Sequence, residues 1–183
     1  RVILMTTYVL GLRINETLSL KVKDINAEKM YVHIHCSKFY KSRLVTYNGQ
    51  VSGLMQEILE WRSTRKYPMT DESNLFINLK GAPVSFVTLH SIFRRIRENA
   101  GLYFPSRGRH QPRIHDLRHT FAVNVLTNWY KSGKNVQDLL PKLSTYLGHA
   151  NISFTSVYLN KTPALLQEAN KLFYIYKQDK NEK

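Results

Sequence analysis

The chain has 183 residues, of which 43% are hydrophobic and 22% charged, a composition typical of one globular domain. Lysine and arginine number 27 against 13 acidic residues, and the net charge of +14 points to a polyanionic partner, most often nucleic acid. The single cysteine, Cys36, excludes a disulfide framework and a cysteine-based zinc site. No apolar run reaches the roughly 18 residues of a membrane span, so none is predicted.

The first fifty residues are predicted to form two helices and a β-hairpin. Residues 1–10 are typical of a helix that ends at Gly11, and Asn15 is placed to cap a short second helix. Residues 31–36 alternate between apolar and polar side chains, which predicts a strand, and residues 43–47 are its predicted partner. The turn between these strands carries two lysines, Lys38 and Lys41.

The middle of the chain is predicted to hold two more helices. The first is marked by an apolar stripe of Leu54, Ile58 and Trp61. The second begins at Ser85, a favourable N-cap residue, and ends at Gly101.

Three further helices complete the prediction. One runs from His115 to about Tyr130, and a second spans residues 136–147, where Pro141 is expected to interrupt it and Gly148 to end it. The last is amphipathic and covers residues 164–176. The sequence is therefore helix-rich with one hairpin.

Arginines are concentrated in one segment of the chain. Seven of the 12 lie between positions 94 and 118, where Glu98 and Asp116 are the only acids. A solvated basic face would explain such a cluster, but clustering of this kind favours a surface that faces phosphates.

The His115-x-x-Arg118 pair indicates an anion site. On a helix these two side chains lie one turn apart and can address the same ligand. Arg118 also falls within the arc of the helix's apolar stripe, where an unpaired charge would be costly. Its partner is either a carboxylate of the chain or a phosphate, and the guanidinium fork favours phosphate. The stripe consists of Ile114, Leu117, Phe121, Val125 and Trp129.

Three other residues carry little weight when taken singly. Arg13 follows a helix stop and can project from a loop, or it can form a surface ion pair with Glu16 that contributes little. His149 follows a helix-ending glycine, and Tyr158 lies nine residues further on. A histidine or a tyrosine in such a place is usually a surface group or a packing residue.

Taken together, the segments resemble the conserved boxes of the tyrosine recombinases, the phage integrase family. Residues 11–18 resemble the first box, residues 115–122 the second with its His-x-x-Arg, and residues 147–149 with Tyr158 have the spacing of the second histidine and the nucleophile. Residues 37–45 are similar to the family's hairpin, with Ser37 and Phe39 where glycines are usual and Thr46-Tyr47 where Pro-Leu is usual. The resemblance extends from Val2 to about Tyr176.

The resemblance implies a catalytic set. Tyr158 matches the nucleophile, Arg13 and Arg118 match the arginines that hold the scissile phosphate, and Lys38 matches the lysine that protonates the leaving 5′-oxygen. The hairpin lacks the usual glycines, so whether Lys38 or Lys41 reaches DNA stays open. The implied set is Arg13, Lys38, His115, Arg118, His149 and Tyr158, in which His115 takes the tyrosine proton.

The family's fold is mainly α with a small antiparallel β-sheet, an α+β domain that residues 1–177 would form, with residues 178–183 as a polar tail. The opening of the chain inside an apolar run suggests a fragment that lacks the family's N-terminal core-binding domain. The implied reaction is cleavage and rejoining of double-stranded DNA through a 3′-phosphotyrosyl intermediate, with no metal and no other cofactor.

The biological setting follows from the same resemblance. The full-length protein is expected to act as a homotetramer on DNA in the bacterial cytoplasm, associated with the nucleoid and not with a membrane, and to integrate or excise a mobile element. Two alternatives share these residues: a type IB topoisomerase-like enzyme and a catalytically silent DNA-binding module. A metal-free RNA nuclease built on His115 and His149 would leave Tyr158 unexplained.

Overall fold

The computed structural model describes residues 1–35, 42–65, 67, 69–108, 111–161 and 166–171. They divide into two compact units, which we call the arginine unit (Arg1–Arg118) and the tyrosine unit (His119–Lys183). Lys38, Lys41 and most of the helix predicted at residues 164–176 lie outside the described residues. In the part of the chain that is described, no helix is both long enough and apolar enough to cross a membrane.

The arginine unit begins with two helices, α1 (Val2–Val9) and α2 (Ile14–Leu18). The prediction of Asn15 as the cap of α2 is wrong, because Arg13 holds the N-cap position with extended backbone angles. The carboxylate of Glu16, three residues into the helix, accepts a hydrogen bond from the Arg13 backbone N–H at 2.8 Å. This is the backward half of a capping box, so the helix start is fixed without an Asn cap.

A three-stranded antiparallel sheet follows, in the order β1 (Ile25–Asn26), β2 (Tyr31–Ile34) and β3 (Arg43–Thr46). The alternation predicted for the hairpin is confirmed over β2, since Val32 and Ile34 are buried while Tyr31 and His33 are only partly covered. The register pairs Ile34 with Arg43, which places Arg43 at the start of β3.

Helix α3 (Gly49–Thr64) exists as predicted, but the predicted stripe is wrong at one position. Its buried residues are Met55, Ile58 and Arg62, whereas Trp61 is exposed. The Arg65 guanidinium lies over the Trp61 ring, 5.2 Å from its centroid, in a cation–π contact.

Helix α4 (Phe86–Asn99) begins where its cap residue predicts. The hydroxyl of Ser85 accepts a hydrogen bond from the Thr88 backbone N–H at 3.1 Å, which satisfies one of the free donors of the first turn. Leu89 is the buried residue of this helix, while Ile92 and Ile96 are exposed.

Helix α5 (His115–Lys131) agrees with its prediction, and its first turn belongs to the arginine unit. Helix α6 (Val136–Leu147) is continuous, so the expectation that Pro141 interrupts it is wrong. The first turn of a helix lacks backbone N–H partners, and a proline one turn further in removes a single bond of the ladder. Gly148 ends α6 in the left-handed conformation that glycine adopts without strain, at φ 68° and ψ 43°.

The tyrosine unit also contains α7 (Ser153–Lys161), which the sequence analysis does not predict, and residues 166–171 are helical. Its core joins α5, α6 and α7. The core residues are Ala122, Leu126, Val136, Leu140, Leu143, Leu147 and Tyr158. The described residues thus form a mainly α structure with a small antiparallel sheet, as expected.

Candidate active site

A buried carboxylate, Glu16, organises the predicted arginine site. Its side chain is 7% exposed, and its Oε1 accepts a hydrogen bond from the Arg13 guanidinium at 2.7 Å. The same carboxylate accepts the Arg13 backbone N–H through Oε2. Both the start of α2 and the head of the Arg13 side chain are therefore fixed by one residue, and the interpretation of this pair as a weak surface contact is wrong.

Arg43 reaches the same carboxylate from β3. Its Nη1 and Nη2 donate to Glu16 Oε1 and Oε2, each at 2.9 Å, in the parallel fork that a guanidinium forms with a carboxylate. The Arg43 side chain is 8% exposed. With the two contacts from Arg13, the Glu16 carboxylate accepts four hydrogen bonds, about as many as its oxygens can take.

These contacts change the acidity of Glu16. Burial alone would raise its pKa, but the hydrogen bonds and charge of Arg43, together with the two hydrogen bonds from Arg13, lower the pKa to about 2. The carboxylate is therefore ionised at any pH at which the protein works.

Arg118 is the third guanidinium of this group and is only 1% exposed, as its position in the apolar arc predicts. Its Nη1 donates to the Gly11 carbonyl at 2.9 Å and lies 3.8 Å from Glu16 Oε2. A carboxylate is thus near Arg118, but one carboxylate serves three guanidiniums. The three guanidiniums and the one carboxylate together carry a net charge of +2, which favours an anionic ligand nearby.

Arg13 and His115 line one cavity of about 600 Å³ in the arginine unit. The Arg13 side chain is 26% exposed and is one of the residues that line this space. The other polar residues that line it are Asn15, Glu16, Ser19, Lys21, Lys23, Asp24, His33 and His35. The arginine unit therefore brings together the first arginine and the first histidine of the predicted set.

Other arginines of the cluster at positions 94–118 have internal partners. Arg94 and Arg113 pair with the two acids of the segment, Glu98 at 3.2 Å and Asp116 at 3.0 Å. Arg97 donates to the Pro112 carbonyl at 3.0 Å. The cluster therefore contains structural arginines as well as candidates for phosphate contact.

The tyrosine unit brings the other two described residues of the set together. Tyr158 is 7% exposed within the core of this unit, and its ring stacks near that of His149, with 6.3 Å between centroids. His149 Nδ1 lies 2.7 Å from the hydroxyl of Thr155, which is fully buried. This contact fixes the imidazole and leaves Nε2 pointing away from Thr155.

His119, which the sequence analysis does not select, contacts the predicted nucleophile. Its Nδ1 lies 3.1 Å from the Tyr158 hydroxyl, and the two rings meet edge to face with centroids 5.3 Å apart. The sequence offers a signal in the second histidine of His-x-x-Arg-His, but its meaning depends on α7, which carries Tyr158.

Neither Lys38 nor Lys41 lies among the described residues. Within the described ranges, no group of three or more His, Cys, Asp or Glu side chains could hold a metal ion.

Comparison with known proteins first defines the fold. XerA recombinase superposes with a TM-score of 0.73 at 22% identity, covering 94% of this chain and 55% of that one. XerH site-specific recombinase, bound to its palindromic difH substrate in a post-cleavage complex, superposes with a TM-score of 0.67 at 28% identity, covering 95% and 45%. The fold is thus that of a tyrosine recombinase catalytic domain.

Similarity in sequence shows the family to which the chain belongs. Residues 1–164 match the model of the phage integrase family, and the chain belongs to that family. It is 34% identical over 161 residues to y4rB of Sinorhizobium fredii (strain NBRC 101917 / NGR234), which is named an integrase/recombinase, covering 88% of this chain and 51% of the relative. It is 30% identical over 159 residues to tyrosine recombinase XerC of Lactobacillus delbrueckii subsp. bulgaricus, covering 86% and 49%. The chain spans about half the length of these relatives.

Proposed function

We propose that this chain is the catalytic domain of a site-specific DNA recombinase that cuts and rejoins DNA through a covalent phosphotyrosine. The observation that carries the proposal is the convergence of three guanidiniums on Glu16, a net basic group of which Arg13 and Glu16 line one cavity with His115. The printed names of the relatives, which are recombinases or integrases, support the reaction class.

In this proposal the arginine unit holds the scissile phosphodiester. Arg13 and Arg118 donate to the non-bridging oxygens, on which charge grows as the nucleophile attacks phosphorus. Because Glu16 holds Arg13 and the Gly11 carbonyl holds Arg118, little reorganisation is needed during the reaction. His115, on the same cavity as Arg13, is the histidine to which the resemblance assigns the tyrosine proton.

The tyrosine unit supplies the nucleophile. The Tyr158 oxygen forms a bond to phosphorus, and the bond from phosphorus to the 5′-oxygen breaks, which yields a 3′-phosphotyrosyl link and a free 5′-hydroxyl. His149 donates to a non-bridging oxygen through the nitrogen that does not face Thr155. Lys38 provides the proton for the 5′-oxygen. Because the new ester keeps the energy of the old one, rejoining needs no nucleotide.

We extend the proposal to the whole protein. Residues 1–177 act as one catalytic domain with residues 178–183 as a tail, the full-length protein forms a homotetramer on duplex DNA, and it works in the bacterial cytoplasm on the nucleoid. Its task is integration or excision of a mobile element, in keeping with the name of the relative y4rB.

The proposal is tested by trapping the intermediate. The native protein that contains this chain is incubated with nicked duplexes that cover the DNA flanking its gene, so that cleavage releases a short 5′ fragment and cannot be reversed. A detergent-stable adduct should form with unaltered protein and persist in EDTA. Tyr158→Phe should form none while binding the duplexes with nearly unchanged affinity, because only the hydroxyl is lost.

The matched control is Tyr146→Phe, which alters another tyrosine of the same unit that packs on Phe121. This variant should form the adduct at the normal rate. An adduct that persists in Tyr158→Phe, or cleavage by the unaltered protein with no covalent adduct, would overturn the proposal.

A further inference from the structure

The hydroxyl of Tyr158 meets an imidazole that neither the family resemblance nor the proposed mechanism uses. From the 3.1 Å contact between that hydroxyl and His119 Nδ1, we infer that His119 is a catalytic residue that accepts the proton of Tyr158 during strand cleavage. The inference rests on the proposed function, since it needs Tyr158 as the nucleophile.

The geometry favours proton acceptance by His119. Both residues belong to the tyrosine unit, with His119 on α5 and Tyr158 on α7. The 3.1 Å separation lies within the reach of a general base, so the proton can pass with no intervening water. The edge-to-face arrangement of the rings, at 64°, keeps the imidazole nitrogen at the hydroxyl and not over the ring face.

The second histidine of this unit is arranged for a different role. His149 contacts Tyr158 through ring stacking, at 6.3 Å between centroids and 26° between planes, and its Nδ1 is engaged by the buried Thr155 hydroxyl. These ring contacts bring two titratable side chains to Tyr158, His119 from α5 and His149 from the loop after α6. Of the two, His119 has a nitrogen at the Tyr158 hydroxyl in the described geometry. We therefore assign proton transfer to His119 and phosphate contact to His149.

The proposed step is balanced. The Tyr158 oxygen bonds to phosphorus as its proton moves to His119 Nδ1, and the 5′-oxygen leaves with a proton from Lys38. A phenol has an ordinary pKa near 10 and an imidazole one near 6.5, so the proton moves only as the oxygen–phosphorus bond forms. In rejoining, the 5′-hydroxyl attacks, and the His119 imidazolium returns the proton to the departing phenolate.

In this proposal His119 accepts the Tyr158 proton, a role that the family resemblance assigns to His115. His115 lines the cavity of the arginine unit together with Arg13, where an imidazole can serve as a donor to a phosphate oxygen. The two assignments give opposite expectations for variants of His115 and His119, which makes them separable by experiment.

The test is single-turnover cleavage of the nicked duplexes by His119→Asn. An asparagine side chain can place its amide near the position of Nδ1 and keep the hydrogen bond, but it cannot take a proton. We expect a loss of about 10²- to 10⁴-fold in the cleavage rate with unchanged DNA affinity. We also expect loss of the acidic limb of the pH–rate profile, because an asparagine side chain has no basic site whose protonation could stop the reaction.

Two further variants complete the design. His119→Ala should be partly restored by added imidazole, whereas His115→Asn should keep the acidic limb. The matched control is His90→Asn, an exposed histidine of α4 in the arginine unit, which should behave as the unaltered protein. Should the His119 variants unfold, the nitrogen chemical shifts of His119 in the unaltered protein and in Tyr158→Phe report the contact directly, and they should differ.

The outcomes separate the two proposals. If the unaltered protein gives no adduct at Tyr158, the proposed function fails. If it gives the adduct but His119→Asn cleaves at the normal rate with an unchanged profile, the inference about His119 fails alone. A faster rate in His119→Ala would also overturn it, because His119 would then be holding the hydroxyl back from attack.

Discussion

The arginine unit and the tyrosine unit hold their candidate catalytic side chains by different physical means. In the arginine unit a single ionised carboxylate binds Arg13 and Arg43 and lies near Arg118, with pKa lowered to about 2. In the tyrosine unit the corresponding contacts join hydroxyl groups to imidazole nitrogens with no carboxylate between them, and Tyr158 is a member of the apolar core. The proposed phosphate site is thus held by charge, and the proposed nucleophile is held by packing.

The difference predicts how much stability each unit loses when one of its side chains is substituted. Removing one member of a buried charge network leaves other charges uncompensated, so the loss is large. Removing one neutral hydrogen bond in a packed unit costs about 1 kcal/mol. Four predictions, in order of decreasing effect, test this contrast.

The largest effect on a reaction rate is expected for cleavage by Arg118→Ala. Loss of one preorganised donor to the transition state should slow cleavage by roughly 10²- to 10³-fold. Replacing the bridging 5′-oxygen by sulfur should restore Lys38→Ala, because a thiolate leaves without a proton, but it should not restore Arg118→Ala or Arg13→Ala. Single-turnover rates on both substrates provide the measurement. Rescue of Lys41→Ala in place of Lys38→Ala would move the general acid to Lys41.

Arg43→Ala should lower the free energy of unfolding by about 3–5 kcal/mol, since Glu16 keeps its charge but loses a two-pronged partner. Arg43→Lys should recover only part of this, because an ammonium cannot form the fork. Denaturant unfolding measures both. The control is Arg94→Ala, whose exposed partner Glu98 lies 3.2 Å away, and it should change stability by no more than about 0.5 kcal/mol. Equal losses for Arg43→Ala and Arg94→Ala would remove the contrast.

Acid should weaken the arginine unit through Glu16. Its pKa is lowered from 4.5 to about 2, so its stabilising contribution is complete above pH 4.5 and is lost as the pH falls toward 2. Unfolding free energies of the unaltered protein and of Glu16→Gln between pH 6 and 2 should therefore converge on acidification. Glu72→Gln is the control, because the Glu72 side chain is 62% exposed and its ion pairs with Lys21 and Lys23 are screened by solvent, so its curve should differ far less from that of the unaltered protein. Curves that stay parallel for Glu16→Gln would show that its charge is not what stabilises the unit.

The smallest effect is expected for Thr155→Val in the tyrosine unit. The substitution keeps the shape of the buried side chain and removes its contact to His149, at an expected cost of about 1 kcal/mol. Thermal unfolding measures this loss. A cost as large as that of Arg43→Ala would mean that the tyrosine unit also depends on a tightly coupled polar network.

Much of this arrangement follows from local patterns in the sequence. The burial of Arg118 follows from helical periodicity, and the start of α4 from Ser85. What the sequence analysis misses depends on partners that are distant in the chain. Glu16 accepts a two-pronged hydrogen bond from Arg43, which lies 27 residues away on another element. From the sequence, only the nearby Arg13 is visible as a partner of Glu16, and that pair alone suggests a weak ion pair.

The error at α3 and the omission of α7 have local causes. Trp61 belongs to the apolar stripe that predicts α3, yet its side chain is exposed with Arg65 over its ring, and the long side chain of Arg62 is buried instead. Helix α7 is rich in Ser, Thr and Asn, which have weak helix preference, and its helical state depends on packing against α6. The contact of His119 with Tyr158 could not be foreseen without α7.

The four hydrogen bonds of Glu16 also constrain how this protein can evolve. A substitution at Arg43 or at Glu16 alone leaves a buried charge without its partner, and replacing both with apolar residues would still deprive Arg13 of its acceptor. No single or double step is therefore neutral, and the effects of changes at these positions should be strongly non-additive. Related sequences are thus expected to keep or lose Arg13, Glu16 and Arg43 together, so that substitutions in α2 and in β3 should be correlated.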